Sequence, residues 1–506
     1  MKAGLRSNVR RNAFKRFLLI SGGLVLALLS LVILLAPGQR RPKMAGDLPP
    51  YFDERVPVLM DQYSIPGISI ALIEDGETTW AKSYGLADVE AGIEMTPATY
   101  ARAQSITKAV TAWGLMHLVE QGELKLTDRV AEHFLDWKFP GDDPDYSEIT
   151  VDQLLSHRAG LSLGTIGLHY PPSADVPTLQ ENLSAEVELL QPPGKSFSYS
   201  NNGFNLLELL IQDVTGRQFA EYMEHEVLDP LGMNTASFEW SENWDPGVAV
   251  GYDLQGDRVP VYVYPEKGSG GLFVQLEDLA AFVEAELLAQ TTNSSVVLSS
   301  ESISRMHSPV VALAGQYALI SDDYGYGHFI EQLPNGQRAV WHGGQGHGWM
   351  THYHAVPETG DGIVIVANSQ RSWPFFAHVL GAWADWHGFG RIGMELILEA
   401  SRFLWVLILL IASAALLIGS RTVWQWRQGA RSLQTPFMES SFGSWLLLAA
   451  ALVVGVTVIW TAVQEYSFMA VVFPVAHVWL GAALLLSALA MVAAALLPRR
   501  DTDLKS

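Results

Sequence analysis

The pattern of apolar and polar positions divides this chain into one long mixed segment and four runs that are almost entirely apolar. The runs lie at about residues 17–36, 403–419, 442–463 and 471–497. Each is long enough to cross a bilayer as a helix. A helix at the surface of a soluble protein keeps a polar face, and these runs have none. The pattern therefore predicts four membrane-spanning helices; the alternative for the last three is that they are buried helices of a soluble domain.

Basic residues are distributed unevenly around these runs. They precede the first run, lie between the second and third and follow the fourth, whereas Gln464 and Glu465 follow the third. Because cytoplasmic loops are enriched in Lys and Arg, the amino terminus is predicted to be cytoplasmic. We therefore expect a multi-pass protein of the cell (inner) membrane, with the amino terminus and anchor in residues 1–43, an extracytoplasmic domain in residues 44–395 and three membrane helices in residues 396–506. A cleaved signal peptide is the alternative for the first run.

Strand patterns occur at both ends of the mixed segment, and helical patterns fill its middle. Residues 67–85, GISIALIEDGETTWAKSYG, predict a β-hairpin with a turn at Asp75-Gly76. The region from residue 105 to about 282 is mostly helical in period. Three short strands follow late, at residues 337–341, 349–356 and 362–368. The pattern predicts one sheet built from sequence-distant strands, beside a helical lobe.

The composition of the chain excludes several classes of function and of reactive group. The formal net charge of -21 excludes a typical nucleic-acid binder, because phosphate contacts need clustered Lys and Arg. The chain contains no cysteine, which excludes disulfides, thiolate nucleophiles and cysteine-ligated zinc. A positive mean hydropathy of +0.16 agrees with the predicted membrane helices.

Ser105 and Lys108 lie in the stretch AQSITKAVTAW, which is typical of the start of a buried helix. Residues three apart share a helix face, so the hydroxyl and the amine can come within hydrogen-bond reach. Burial among apolar neighbours disfavours the charged form of lysine, so the amine can serve as the base that a serine nucleophile needs. A lone Ser-x-x-Lys pair also occurs by chance, and a lysine that extends to the surface is the alternative.

Two further stretches offer reactive or substrate-binding groups. Tyr199 and Asn201 lie two residues apart in a loop before an amphipathic helix, from where both can face one cleft. A turn residue and a helix cap are the alternative interpretation. His342, Gly343 and Gly344 stand at the predicted end of a strand, where paired glycines let a substrate backbone approach closely.

In this order the three stretches resemble the Ser-x-x-Lys, Tyr-x-Asn and Lys-Thr-Gly boxes of the penicillin-recognising serine hydrolases. The class C β-lactamase-like branch, with its penicillin-binding proteins, peptidases and esterases, is the most similar. Other stretches between about 50 and 390 are similar too, among them ITVDQLLSHRAGL and YMEHEVLDPLGMNTASF. The resemblance implies an α/β (α+β) β-lactamase-like fold: an antiparallel sheet flanked by helices, with an all-helical lobe.

The resemblance also implies catalytic roles. Ser105 would be the acylated nucleophile, with Lys108 as its partner in proton transfer. Tyr199 would act as acid and base toward the nucleophile and the leaving group. The backbone N–H groups of Ser105 and Gln345 would form the oxyanion hole.

The resemblance further implies that four residues bind the substrate: Asn201, His342, Gly343 and Gly344. His342 stands where many members of the family have lysine, and Gly343 replaces a hydroxyl residue. Histidine is less reliably charged than lysine at neutral pH, so recognition of a substrate carboxylate should be weaker or pH-dependent.

The anchor and three trailing helices are similar to the layout of membrane-bound peptidases that remove an acylated D-amino-acid segment. The expected function is therefore hydrolysis of a D-amino-acid-containing peptide or amide through a Ser acyl-enzyme. The alternatives are an esterase, a β-lactamase, or a β-lactam or muropeptide sensor that is acylated without turnover. The expected partners are a small peptide, amide or ester and the lipid bilayer, with no nucleic acid, no metal and no organic cofactor. The sequence does not predict an oligomeric state.

Three other patterns suggest sites or contacts of their own. Ser162 lies in a G-x-S-x-G pattern, but the strand that a nucleophile elbow requires does not precede it. His352 and His354 share one face of a strand, with His342 and His347 nearby, so a metal site is an alternative there. His157 is expected to form a hydrogen bond within its own loop.

Overall fold

The computed structural model describes seven segments of the chain: 47–141, 143–164, 169–244, 247–291, 296–433, 442–464 and 468–498. The chain forms two compact units. The larger lies within Arg41–Ile397, and the smaller contains the described residues from Leu398 onward. The first predicted membrane span, at about residues 17–36, lies outside the described residues.

The helices are α1 (Leu48–Tyr63), α2 (Thr107–Glu120), α3 (Val151–Leu155), α4 (Leu179–Glu186), α5 (Asn201–Thr215), α6 (Phe219–Met223), α7 (Leu276–Thr291), α8 (Ser300–Met306), α9 (Trp373–His387), α10 (Leu396–Arg427), α11 (Phe442–Ala462), α12 (Phe468–Val472) and α13 (Ala476–Leu496). The strands are β1 (Gly67–Glu74), β2 (Glu77–Asp88), β3 (Ile93–Glu94), β4 (Ala101–Arg102), β5 (Gly251–Tyr252), β6 (Arg258–Val259), β7 (Phe273–Val274), β8 (Val311–Ala312), β9 (Asp323–Tyr324), β10 (Phe329–Gln332), β11 (Arg338–Gly346), β12 (Trp349–Val356) and β13 (Asp361–Ala367).

A nine-stranded antiparallel sheet is the centre of the larger unit. Its strand order is β3-β2-β1-β13-β12-β11-β10-β9-β8. The predicted hairpin of β1 and β2 forms one side of the sheet. β1 pairs with β13 from Ile68 opposite Ala367 to Ile73 opposite Gly362, so the two ends of the unit meet in adjacent strands.

Helices cover both faces of this sheet. Successive side chains on a strand point to opposite faces. On β12, Tyr353 contacts Phe282 of α7, whereas His352 contacts Phe376 of α9. β12 is buried along its whole length, as expected for a strand between two helical layers.

Helix α2 passes through the core between the sheet and the helical lobe. Eleven of its 14 residues are buried, so it has no solvent face. Trp113 packs edge-to-face against Phe282. A Cβ atom on Gly114 would lie 2.4 Å from Met223 Sδ, so only glycine permits this close contact with α6. Because α2 is surrounded, Lys108 cannot extend to the surface.

The predicted antiparallel sheet flanked by helices is confirmed, and the strand boundaries need one correction. The predicted strand at 337–341 was too short, because β11 continues through His342, Gly343 and Gly344 to Gly346. The glycines therefore lie inside the strand and not at its end. Glycine weakens a strand pattern in the sequence, but neighbouring strands and packing hold these residues in the ladder here.

The smaller unit contains apolar helices. Within the described residues, three helices are long and apolar enough to cross a membrane: Gly393–Arg427, Phe442–Ala462 and Ala476–Leu496. The run predicted at 403–419 belongs to the much longer α10, of 32 residues. The run predicted at about 471–497 is interrupted between α12 and α13, where Pro474 lacks the N–H group that a continuous helix needs. These helices indicate membrane association; their orientation in the membrane stays a prediction.

Candidate active site

Ser105 lies in the first turn of the helix that continues as α2. A 3₁₀ turn spans Gln104–Ile106 and leads directly into α2. Gln104 has a φ of 52°, a left-handed conformation that residues other than glycine rarely adopt. Its side chain donates a hydrogen bond to the Tyr262 hydroxyl at 2.9 Å and accepts one from the Tyr264 hydroxyl at 3.1 Å. This strained turn places Ser105 at the positive end of the helix dipole.

Lys108 is fully buried beside the serine. Its Nζ lies 3.1 Å from Ser105 Oγ and donates a hydrogen bond to the Ser269 carbonyl oxygen at 2.6 Å. The ring centroids of Tyr199 and Phe204 are 5.1 and 5.8 Å from Nζ. Among the described ion pairs none involves Lys108, so no carboxylate compensates its charge. Burial lowers the pKa of Lys108 well below its ordinary value. The amine form is thereby favoured, and it can accept the serine proton.

Tyr199 is held against the same amine by His157. The two rings are 4.3 Å apart. His157 Nδ1 accepts a hydrogen bond from the Ser200 backbone N–H at 3.1 Å, and its carbonyl accepts one from the Ser198 N–H at 2.7 Å. The His157 side chain therefore does not bond within its own loop as expected, although its backbone N–H donates to the Leu154 carbonyl oxygen at 3.2 Å. It positions the segment around Tyr199, and the sequence signal was a buried-looking histidine without a local partner.

Asn201 is the first residue of α5. The helix is capped by Ser200, whose hydroxyl accepts a hydrogen bond from the Gly203 N–H at 3.0 Å. The cap is therefore Ser200 and not Asn201. The Asn201 side chain is partly exposed and makes no hydrogen bond within the part of the chain that the structure describes. Its amide is therefore available for a substrate, as the proposed role requires.

One edge of β11 is free beside the serine. β10 pairs with β11 only as far as Trp341, opposite Phe329. From His342 to Gly346, β11 pairs with β12 alone among the described strands. Gln345 lies in this stretch, where its side-chain oxygen accepts a hydrogen bond from Trp373 Nε1 at 2.8 Å. An extended peptide can pair with such an edge.

The two glycines of this stretch are required by packing within the protein. A Cβ atom on Gly343 would lie 2.8 Å from Trp373 Cη2. On Gly344 it would lie 2.1 Å from Thr351 Oγ1 and 2.3 Å from the Ala103 carbonyl oxygen. Gly344 therefore lets β11 approach the segment that carries Ser105. Their roles in substrate binding stay predictions.

His342 is buried and uncharged. Its Nδ1 lies 2.9 Å from the Gly343 carbonyl oxygen and must donate to it, so Nε2 accepts from the Tyr324 hydroxyl at 3.3 Å. Burial, and then the nearby Lys108, lower the pKa of His342 well below its ordinary value. A charged His342 that recognises carboxylate in a pH-dependent way near neutrality is therefore not supported, because the interior disfavours the cation.

Glu208 is a positioning residue that the sequence did not reveal. On α5 it accepts hydrogen bonds from the backbone N–H groups of Lys267 and Gly268, at 2.6 and 2.7 Å. The next residue, Ser269, supplies the carbonyl that accepts from Lys108. Burial raises the pKa of Glu208 to about 7. A glutamate within an otherwise apolar helical stretch, FNLLELLI, was the available signal.

The rival patterns have structural explanations. Ser162 donates to the Glu186 carbonyl oxygen at 2.9 Å and accepts from the Glu188 N–H at 3.2 Å, and its own carbonyl oxygen accepts from the Ser200 hydroxyl at 2.6 Å, so its hydrogen bonds are structural. His352 and His354 are buried, with Nε2 and Nδ1 3.5 Å apart. Glu331 Oε2 lies 3.8 Å from His354 Nε2, but within the described residues the ligand atoms of these three side chains do not all come within 4.8 Å of one another.

Comparison with known proteins identifies the family of this chain. Residues 52–383 match the family model described as Beta-lactamase. Protein flp of Staphylococcus aureus (strain N315) is 28% identical over 338 residues, which are 64% of each chain. The Unguisins hydrolase ungD' of Aspergillus campestris is 28% identical over 341 residues, 63% of this chain and 62% of that protein. The chain thus matches somewhat less than two thirds of the length of these curated relatives.

Solved structures show the same fold. The octameric penicillin-binding protein homologue from Pyrococcus abyssi has a TM-score of 0.60 and 29% identity, over 70% of this chain and 80% of its own. A penicillin binding protein from Bacillus halodurans has a TM-score of 0.50 and 24% identity, over 64% and 95%, and so supports the fold alone. Because the family model spans more than half of the chain and contains every predicted site residue, this protein belongs to the Beta-lactamase family.

Proposed function

We propose that this protein is a membrane-associated serine hydrolase that forms an acyl-enzyme on Ser105 and cleaves peptides or amides next to a D-amino acid. The family and the fold imply serine hydrolase activity in general. The observation that carries the proposal is the fully buried Lys108 amine, 3.1 Å from the Ser105 hydroxyl and without a carboxylate partner among the described residues. A desolvated amine beside a serine can act as the adjacent base that nucleophilic catalysis by a hydroxyl requires.

Acylation begins with transfer of the Ser105 Oγ proton to Lys108 Nζ. Oγ then forms a bond to the substrate carbonyl carbon, and the carbonyl oxygen becomes an oxyanion that the N–H groups of Ser105 and Gln345 stabilise. The carbon–nitrogen bond breaks, and the leaving amine takes a proton relayed by Tyr199 and Lys108. Water then attacks the ester carbonyl carbon and gives a proton to the same base. The bond between this carbon and Ser105 Oγ breaks, Oγ takes that proton back, and the acid product leaves.

The Ser269 carbonyl keeps the Lys108 amine oriented during these transfers. It accepts one N–H of the neutral amine, so the lone pair is left for the serine proton. The positive charge that Lys108 gains is close to the faces of Tyr199 and Phe204, whose π-electrons stabilise it. The site thus tolerates the transient cation without a permanent counter-ion.

Peptide recognition is supported by the free edge of β11. A substrate backbone that pairs with this edge would present its carbonyl to Ser105, and Asn201 would bind a neighbouring amide. The uncharged His342 provides no fixed cation for a terminal carboxylate, which favours an internal or amidated peptide bond over a penicillin. A relative named as a hydrolase of unguisins supports a hydrolytic reaction.

The proposed location is the cell membrane, with residues 44–395 on the extracytoplasmic side. Three apolar helices of sufficient length support membrane association. The basic residues between the second and third runs and after the fourth support the orientation.

Intact-mass analysis of the full-length protein in detergent tests the reaction. Acylated peptides that differ only in D- or L-alanine at the scissile position, a simple ester and a penicillin are incubated with wild type. We expect a Ser105 adduct and repeated product release, fastest with the D-peptide. Ser105→Ala should form no adduct, whereas the control Ser162→Ala should retain it.

Each outcome decides between functions. Product release by Ser105→Ala at the wild-type rate would refute the acyl-enzyme. Turnover of the ester alone would identify an esterase, and turnover of the penicillin would identify a β-lactamase. A single stoichiometric adduct without product release would identify a sensor.

A further inference from the structure

A glutamate and two histidines from sequence-distant elements meet in the interior of the larger unit. Glu286 lies on α7, His307 directly follows α8 and His328 lies just before β10. All three are buried, with exposed fractions of 0%, 5% and 0%. One potential ligand atom from each lies within 4.8 Å of those of the other two. None of the three belongs to the proposed catalytic machinery.

Hydrogen bonding determines which nitrogen of His328 faces the glutamate. Nδ1 lies 2.7 Å from the carbonyl oxygen of Tyr326, which can only accept, so Nδ1 carries a proton. Nε2 lies 2.5 Å from Glu286 Oε1. An unprotonated nitrogen and a carboxylate oxygen repel one another at this distance. A cation is therefore required between them, and it is either a second ring proton or a metal ion.

A proton alone leaves several buried polar atoms of the cluster unsatisfied. Both ring nitrogens of His307 and Oε2 of Glu286 make no hydrogen bond within the described residues. His307 Nε2 is 3.9 Å from Glu286 Oε1, which is too far for a hydrogen bond. The Tyr353 hydroxyl is also buried without a partner, and its ring lies 6.3 Å from that of His328. Native proteins rarely leave so many buried polar atoms unpaired in one place.

We propose that Glu286, His307 and His328 bind a divalent transition-metal ion, and that zinc is the best match. Two imidazoles and one carboxylate are typical zinc ligands, whereas calcium and magnesium prefer oxygen ligands only. Zinc bonds of about 2.0–2.2 Å place neighbouring ligand atoms roughly 3.3 Å apart. His328 Nε2 and Glu286 Oε1, now 2.5 Å apart, must therefore separate to admit the ion, and ligand atoms up to 4.8 Å apart must approach it.

The ligand set already has an orienting partner. The Tyr326 carbonyl holds the His328 ring with Nε2 directed at the ion, as backbone acceptors commonly do for metal-binding histidines. A water molecule or the Tyr353 hydroxyl completes the coordination. These residues differ from His342, His347, His352 and His354, the histidines that the sequence suggested.

The proposed ion has a structural role behind the catalytic helix. The turn before β10 packs directly on α2, because a Cβ atom on Gly327 would lie 3.1 Å from the Lys108 carbonyl oxygen and 2.9 Å from Ala112 Cβ. The Gly327 N–H donates to the Leu155 carbonyl oxygen at 3.2 Å. The ion thus connects α7 and the end of α8 to the turn that supports Lys108.

Cobalt and zinc binding by the wild-type protein test the site. Full-length protein in detergent, purified with a tag that lacks histidine, is treated with a chelator and titrated with Co²⁺. We expect one Co²⁺ per chain with visible d–d absorption, displacement of cobalt by Zn²⁺ and a higher melting temperature with zinc than without. The X-ray absorption spectrum of the zinc-loaded protein should show two imidazole ligands. A wild type without the cobalt spectrum, or a zinc site without two imidazoles, overturns the proposal.

His307→Gln is the discriminating variant. The ring nitrogens of His307 make no hydrogen bond among the described residues, so glutamine removes a metal ligand without removing a side-chain hydrogen bond. We expect Co²⁺ affinity to fall by about 10–100-fold or more, and zinc to leave its melting temperature unchanged. The control His225→Gln, with a side chain 58% exposed, should bind one Co²⁺ per chain. Undiminished cobalt binding by His307→Gln contradicts the proposal.

Discussion

Replacement of Lys108 by methionine separates the chemistry of this residue from its packing. The two side chains are similar in length, and the site is fully buried, so an apolar thioether fills the same space. The variant loses the proposed general base. It also loses the hydrogen bond to the Ser269 carbonyl, and it no longer buries an amine without a counter-ion.

The effect on rate should be far larger than the effect on stability. A positioned general base contributes about 10²–10⁴-fold, which corresponds to about 3–5 kcal/mol in the activation free energy. An unsatisfied Ser269 carbonyl costs about 1–3 kcal/mol, and removal of the desolvated amine offsets part of this cost. We therefore expect acylation to slow by at least about 10²-fold, while the free energy of unfolding changes by no more than about 3 kcal/mol.

The direction in which the acylation rate and the free energy of unfolding change with pH provides an independent test of the role of Lys108. Lys108 acts as a base only when neutral, so wild-type acylation should rise as pH increases through its folded-state pKa, which burial places well below the ordinary value. The unfolded chain binds the proton more tightly, so the free energy of unfolding should also rise with pH between the folded-state pKa and about 10.4. Both dependences should be absent from Lys108→Met.

Stopped-flow acylation with a chromogenic ester and thermal unfolding, each across pH, measure these effects. Lys138→Met, at an exposed lysine, is the control and should match wild type. The reasoning is refuted if Lys108→Met acylates within tenfold of wild type, or if it keeps the rise of acylation with pH.

Three further predictions concern the surroundings of the serine. Glu208→Ala leaves two buried N–H groups without an acceptor, which costs about 1–3 kcal/mol for each group, so both the melting temperature and the acylation rate should fall. Glu208→Gln keeps an acceptor oxygen and should restore most of both quantities. Equal defects in the two variants would contradict this role. Gly344→Ala places a Cβ atom 2.3 Å from the Ala103 carbonyl oxygen, so it should displace the Ser105 segment and abolish most acylation. In the control Gly203→Ala, the added Cβ atom lies 3.6 Å from its nearest neighbour, so this variant should be active in the same assay. Because burial keeps His342 neutral, KM for a substrate with a free carboxylate should stay constant between about pH 6 and pH 8. A KM that rises as pH increases through this range would show instead that His342 is charged at the lower pH.

The sequence predicted the parts of the structure that depend on neighbouring residues. The β1–β2 hairpin follows from strand alternation around Asp75-Gly76, and both strands have the expected pairing. The apolar runs predicted α10, α11 and α13, since length and uniform hydrophobicity are local properties. The proximity of Ser105 and Lys108 could be predicted because residues three apart share a helix face.

What the sequence by itself determined was therefore the class of fold, the apolar helices and the proximity of Ser105 and Lys108. Only the tertiary structure decided their chemical state. The carbonyl that accepts from Lys108 is 161 residues away, the neutral form of His342 depends on Tyr324 and on burial, and Glu286 meets His328 across 42 residues. Burial and long-range pairing set the pKa of a group and the partners of its polar atoms, and no local pattern contains the residues that provide them.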